Sequence, residues 1–80
     1  MSNETKPVLS LDMKGLLCPM PIVKIAQAIK QVKIGDTIEA LATDPGVMAD
    51  IPAWVRTSGN QVVVLEKREK DIRFVVQRVK

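Results

Sequence analysis

Eighty residues allow one small domain, burying roughly 60–65 % of its unfolded surface, and the chain has a single cysteine and no histidine. That excludes an internal disulfide framework, a Cys-x-x-Cys redox pair, Cys–His catalysis and a zinc site. The formal net charge of +3 is uneven: from Glu66 onward Lys67, Arg68, Lys70, Arg73, Arg78 and Lys80 outnumber Glu66, Glu69 and Asp71, and residues 1–65 are balanced.

Residues 1–7 read as a flexible leader, followed by a single domain over 8–80. Val8 to Met13 alternates, with Leu9, Leu11 and Met13 on one face, and predicts a first strand. Gly15 breaks it. Pro19 and Pro21 cannot lie in a helix interior, but a proline fits a first turn without cost. From Met20 to Val32 the apolar Ile22, Ile25, Ala26 and Ile29 fall at helical spacing, with Lys24, Gln27, Lys30 and Gln31 on the other side. Gly35-Asp36 makes a turn, and Thr37 to Thr43 predicts a second strand. Asp44-Pro45-Gly46 offers a cap for a second helix reaching about Ser58. Pro52 removes a backbone donor there, so that helix either begins late under an Asp50 cap or carries a kink.

Gly59-Asn60 suits a left-handed C-terminal cap. Gln61 to Glu66 and Ile72 to Val79 predict two further strands, with the polar Lys67 to Asp71 stretch as their hairpin connection. The order β-α-β-α-β-β makes a two-layer α/β sandwich, with two helices on one face of a four-stranded mixed sheet. Trp54, in a mostly aliphatic chain, is expected to anchor the core.

The chemistry concentrates at Cys18-Pro19-Met20-Pro21. The prolines pin the cysteine at or just before the helix start, where unpaired N–H groups and the helix dipole favour an anion. A thiol so placed is expected to have a lowered pKa and raised nucleophilicity. Asp12, at a strand end, is expected to bond neighbouring amides, and Gly15 to supply positive φ. Lys14 and Lys24 could steer an anion towards Cys18, and Met20 lies beside it. No apolar run approaches the roughly 20 residues that span a bilayer. The polar start, Met1 to Pro7, is unlike a signal peptide. A reducing, cytoplasmic setting is expected.

The string Leu11-Asp12-Met13-Lys14-Gly15-Leu16-Leu17-Cys18-Pro19-Met20-Pro21 resembles the signature of the TusA/SirA-like sulfur carriers. Asp44-Pro45, Asp50-Ile51-Pro52-Ala53-Trp54 and Gly59-Asn60 also match, so the resemblance covers roughly Leu9 to Val79. One departure is Asn60, where many members have His after the glycine. The resemblance implies that Cys18 carries sulfane sulfur as a persulfide, or thiosulfate in sulfur-oxidising members. A cysteine desulfurase or rhodanese would donate the sulfur, and DsrE-type or other relay proteins would accept it. Downstream uses would be tRNA thiolation, molybdenum-cofactor maturation or dissimilatory sulfur oxidation.

The resemblance implies no cofactor and no metal. An anionic persulfide would be held by helix N-terminal amides without a histidine base. With no obvious pocket of its own, transfer would need docking over a surface rimmed by Lys14, Met20 and Lys24. An alternative is a regulatory or interaction module using the basic C-terminal hairpin on nucleic acid or protein. With one Trp, one Phe and no Tyr, stacking on single strands is disfavoured, and nucleic acid is not the expected ligand. A thiol redox sensor would need a resolving thiol supplied in trans.

Overall fold

A computed structural model describes residues 7–80, so the expected leader lies outside the described residues except for Pro7. In chain order the elements are β1 (Leu9–Met13), α1 (Met20–Ala28), β2 (Thr37–Ala42), α2 (Val47–Ser58), β3 (Gln61–Lys67) and β4 (Ile72–Gln77). The sheet order is β1-β2-β4-β3. β1 runs parallel to β2, and β4 is antiparallel to both of its neighbours. A parallel pair needs a crossover connection, which α1 supplies. The same logic carries the chain over α2 to the far edge, after which β4 returns between β2 and β3. The expected two-layer arrangement with a mixed sheet is present.

Alternation sorts each strand. Met13, Ile38, Ala40, Ala42, Ile72, Phe74 and Val76 are buried and form one core with Ile25, Ala28 and Ile29 after β1 and with Val47 and Ile51 of α2. The opposite face carries Glu39 and Arg73, whose ion pair (2.5 Å) extends to Glu66 on the edge strand (3.3 Å). A register shift between Val62 and Val64 leaves Val63 half exposed on that edge.

Two helix boundaries depart from expectation. α1 ends at Ala28 and tightens into a 3-10 turn, Ile29–Gln31, before Val32 becomes extended. Such tightening satisfies the last carbonyls of a helix. α2 neither starts late nor takes Asp50 as its cap. It begins at Val47, Asp50 lies in its first turn, and Pro52 is accommodated inside it. Gly59 closes α2 at φ +83, with its N–H on the Val55 carbonyl.

This topology brings the C-terminal ends of β1, β2 and β3 to one end of the sheet. The Cys18 loop follows β1, the Asp44 loop follows β2 and the basic turn follows β3, so all three meet there.

Candidate functional site

The loop after β1 is built from short-range bonds. One Asp12 oxygen accepts the Lys14 N–H at 3.1 Å, the bond expected of an Asp at a strand end. Gly15 takes φ +85, a conformation in which a side chain would be strained. Its N–H donates to the Thr43 hydroxyl at 2.9 Å, which ties this loop to the end of β2. Asp44 makes a second tie. One of its oxygens accepts the Gly46 N–H at 3.0 Å, and the other accepts the Cys18 N–H at 2.6 Å.

Cys18 itself is exposed, with Leu16 half-buried against the core and Leu17 72 % exposed beside it. Its thiol donates to Asp50 Oδ2 at 3.0 Å, joining residues 32 apart in sequence. That contact overturns the expected lowering of the thiol pKa. The Cys18 pKa is pushed up, first by the hydrogen bond to Asp50, then by partial loss of hydration and by the negative charges of Asp50 and Asp44.

The helix start offers few amides to set against this. Pro19 caps α1 and Pro21 is buried in its first turn, so neither offers an N–H. The Met20 N–H is spent on the Leu17 carbonyl at 2.8 Å. The prolines that fix the cysteine's position thus also remove two of the amides that a helix terminus would offer an anion.

Beside the thiol lies an open cleft of about 370 Å³, lined by Cys18, Pro19 and Ile22 at the start of α1 and by Asp50, Ala53, Trp54 and Thr57 of α2. The expectation of no pocket is corrected by this cleft. The four α2 residues stand at i, i+3, i+4 and i+7, one stripe of a helix. Trp54 is corrected too: it packs half-buried on the core's margin and forms a cleft wall rather than a central anchor. Asp44 and Asp50 were not among the residues the sequence singled out for chemistry. The Asp50 to Thr57 spacing, a polar–apolar stripe within reach of the cysteine loop, was the signal for the second.

The proposed docking residues are placed differently. Lys14, Met20 and Lys24 are exposed, but none lines the cleft. The charge of Lys14 acts on Asp71, in the β3–β4 turn. Apolar exposure around the cysteine comes from Leu17, Met20 and Val23.

The basic hairpin is partly neutralised from within. Arg68 forks onto both oxygens of Asp71 (2.7 and 3.0 Å), and Arg73 is committed to Glu39 and Glu66. Asn60 serves local packing: its amide bonds the Ser58 hydroxyl, and its oxygen accepts the Val79 N–H at 2.8 Å. No helix of the described residues is long and apolar enough to cross a membrane.

The geometry has counterparts among known proteins. A candidate sulfur carrier of Archaeoglobus fulgidus is 36 % identical over 70 residues, covering 88 % of this chain and 96 % of that protein. Another, from Halobacterium salinarum, is 40 % identical over 81 residues and is matched along the full length of both. The crystal structure of a SirA-like protein from Desulfitobacterium hafniense is similar at a TM-score of 0.77 over 91 % of this chain and 100 % of that one. At 19 % identity the likeness is one of fold. The sequence profile of the family described as Sulfurtransferase TusA matches residues 9–78. With the match spanning nearly all the described residues, and the Cys-Pro-x-Pro cysteine exposed at the head of α1, the chain belongs to the TusA sulfurtransferase family.

Proposed function

We propose that this chain accepts sulfane sulfur on Cys18 as a persulfide and relays it to partner proteins by thiol exchange. The carrying observation is a sole, exposed thiol at the edge of an open cleft, with a carboxylate in hydrogen-bond contact. The absence of a second cysteine prevents loss of the sulfur through an internal disulfide. A cysteine desulfurase or a rhodanese is the proposed donor, and a DsrE-type or other relay protein the acceptor. The cleft and the exposed Leu17, Met20 and Val23 around the thiol suit a docked protein better than a free metabolite. tRNA thiolation, molybdenum-cofactor maturation and dissimilatory sulfur oxidation are the pathways such a relay would feed, in a reducing compartment such as the cytoplasm.

Intact-mass measurement tests this reading. After incubation with a desulfurase and cysteine, or a rhodanese and thiosulfate, the protein is expected to gain sulfur and Cys18→Ser to gain none. Equal gain by Cys18→Ser, or no gain by the wild type with either donor, overturns it. A thiosulfate adduct in place of added sulfur atoms would assign the cargo of sulfur-oxidising relays.

A further inference from the structure

Resting on the carrier reading, we propose that Asp50 is a catalytic residue of sulfur transfer. It takes the Cys18 thiol proton as Sγ attacks a donor persulfide and passes it to the departing donor thiolate.

The resting site poses a chemical problem that this assignment resolves. Only a thiolate attacks sulfur efficiently, yet Cys18 is held as a thiol that donates to a carboxylate. A prior equilibrium to free thiolate would work against both neighbouring carboxylates. Removing the proton during attack avoids that charge build-up. The acceptor must already be in contact, and Asp50 Oδ2 at 3.0 Å is within the roughly 2.6–3.2 Å reach of a general base.

No rival group fits as well. The chain has no histidine, and the charges acting on the thiol are those of Asp50 and Asp44. Both oxygens of Asp44 are engaged by backbone N–H groups. Lys14 acts on Asp71 instead. Asp50 alone among these groups touches the sulfur, and no other hydrogen bond of its carboxylate competes with that contact among the described residues.

Placement supplies the second half of the relay. Cys18 and Asp50 line the same cleft, so a donor persulfide entering it meets the nucleophile and the proton acceptor together. Pro19, Ile22, Ala53 and Trp54 supply apolar walls on either side of the pair.

The step balances without a further reactant: Cys18–SH and R–S–SH become Cys18–S–SH and R–SH. A lone pair of Sγ forms the new S–S bond to the donor's terminal sulfur, and the donor's S–S bond breaks with its electron pair on the R–S sulfur. The proton travels from Sγ to Asp50 and on to that sulfur. Cys18 is oxidised to the persulfide level as the donor cysteine is reduced to thiol. Discharge runs the same relay in reverse.

Two reactions of Cys18 separate this role from a passive one. Alkylation by iodoacetamide needs the thiolate, but its leaving iodide takes no proton. Loading from glutathione persulfide, read by intact mass, needs both transfers. In Asp50→Asn the repelling charge and the proton acceptor are lost together, so the alkylation rate supplies the reference for the first transfer. The loading rate, divided by the alkylation rate, is expected to fall by about a hundredfold, the lower range for general acid–base catalysis.

Asp50→Glu keeps a carboxylate at the cleft and is expected to recover part of that ratio. It also covers the case in which the amide variant folds poorly. A ratio unchanged in Asp50→Asn, or a ratio in Asp50→Glu no better than in the amide variant, overturns the proposal. A wild type that takes up no sulfur from any donor would instead remove the carrier reading on which it rests.

Discussion

Asp44 holds the cysteine's backbone: its carboxylate accepts the Cys18 N–H at 2.6 Å with one oxygen while the other accepts the Gly46 N–H at 3.0 Å. The loop carrying the reactive sulfur is therefore fixed to the start of α2 through this side chain as well as through the thiol's bond to Asp50. These two N–H groups, Gly46 first, hold the Asp44 pKa below the ordinary carboxylate value. A carboxylate with a depressed folded pKa stabilises the fold above its unfolded pKa, about 3.9, and loses that contribution as pH falls through the lower folded value. On acidification the Cys18 and Gly46 amide resonances are expected to shift together with a midpoint below that value. In Asp44→Asn the common acid shift should vanish and hydrogen exchange at Cys18 should quicken. Independent shifts of the two amides would argue that no shared carboxylate joins them.

The thiol titrates in the opposite sense. Its folded pKa is raised, so the folded state holds this proton more tightly than the unfolded chain does. The stabilisation is complete below the unfolded thiol pKa, about 8.5, and is lost as pH rises through the folded value. Alkylation of native protein is thus expected to reach half its maximal rate at a higher pH than alkylation of the same chain in denaturant. A native midpoint at or below the unfolded one would show the helix terminus outweighing Asp50.

Much of the fold was legible because it rests on local periodicity. The alternation of Leu9, Leu11 and Met13 and of Ile72, Phe74 and Val76 marks strand faces, and Ile22, Ile25 and Ile29 mark a helix. Cys18 was legible for a similar reason, since two prolines at fixed spacing leave one place for it. Its electrostatics were not. The sign of the pKa shift depends on Asp50, 32 residues away, and on α2 starting early enough to bring that residue beside α1. Pro52 left open whether Asp50 would cap a late helix or lie within a kinked one, so nothing local placed its carboxylate at the site. The core role given to Trp54 failed for a related reason: hydrophobicity does not say which side of a groove a residue lines.

Gly59 is the C-terminal stop of α2, at φ +83 with the Lys80 side chain 2.8 Å from where a Cβ would stand. The lysine end can swing away, so the cost of Gly59→Ala comes from the left-handed backbone. That cost is about 1–2 kcal/mol for an L-residue. Chemical denaturation should show a lower midpoint with an unchanged slope, and a variant as stable as the parent would mean the helix ends without needing this conformation.

Glu39 joins Arg73 on the open face of the sheet, and the arginine also reaches Glu66. The Glu39 pKa is lowered chiefly by its hydrogen bond from Arg73. Both partners remain in contact with water, at 27 % and 30 % side-chain exposure, so solvent screens most of this attraction. Glu39→Gln is expected to cost about 0.5–1 kcal/mol, and the loss should shrink in high salt. A cost that salt leaves unchanged would point to packing rather than charge.

Phe74 faces the opposite way from its neighbour Arg73, and the contrast sets the scale of what holds this domain together. It lies in β4, one of the two strands hydrogen-bonded on both sides, opposite Ala40 of β2 and Leu65 of β3. It is fully buried. Small cross-strand partners such as Ala40 leave the ring to fill the space beneath the helices. Phe74→Ala removes the ring's transfer free energy and leaves a cavity, together about 3–5 kcal/mol. Against a total stability of about 5–15 kcal/mol, that is several times the Glu39 effect and enough to leave a marginal fold. Denaturant titration of the two variants side by side should show the Phe74 midpoint falling much further. Similar losses would mean that the ion network, rather than the single apolar layer under α1 and α2, carries the sheet.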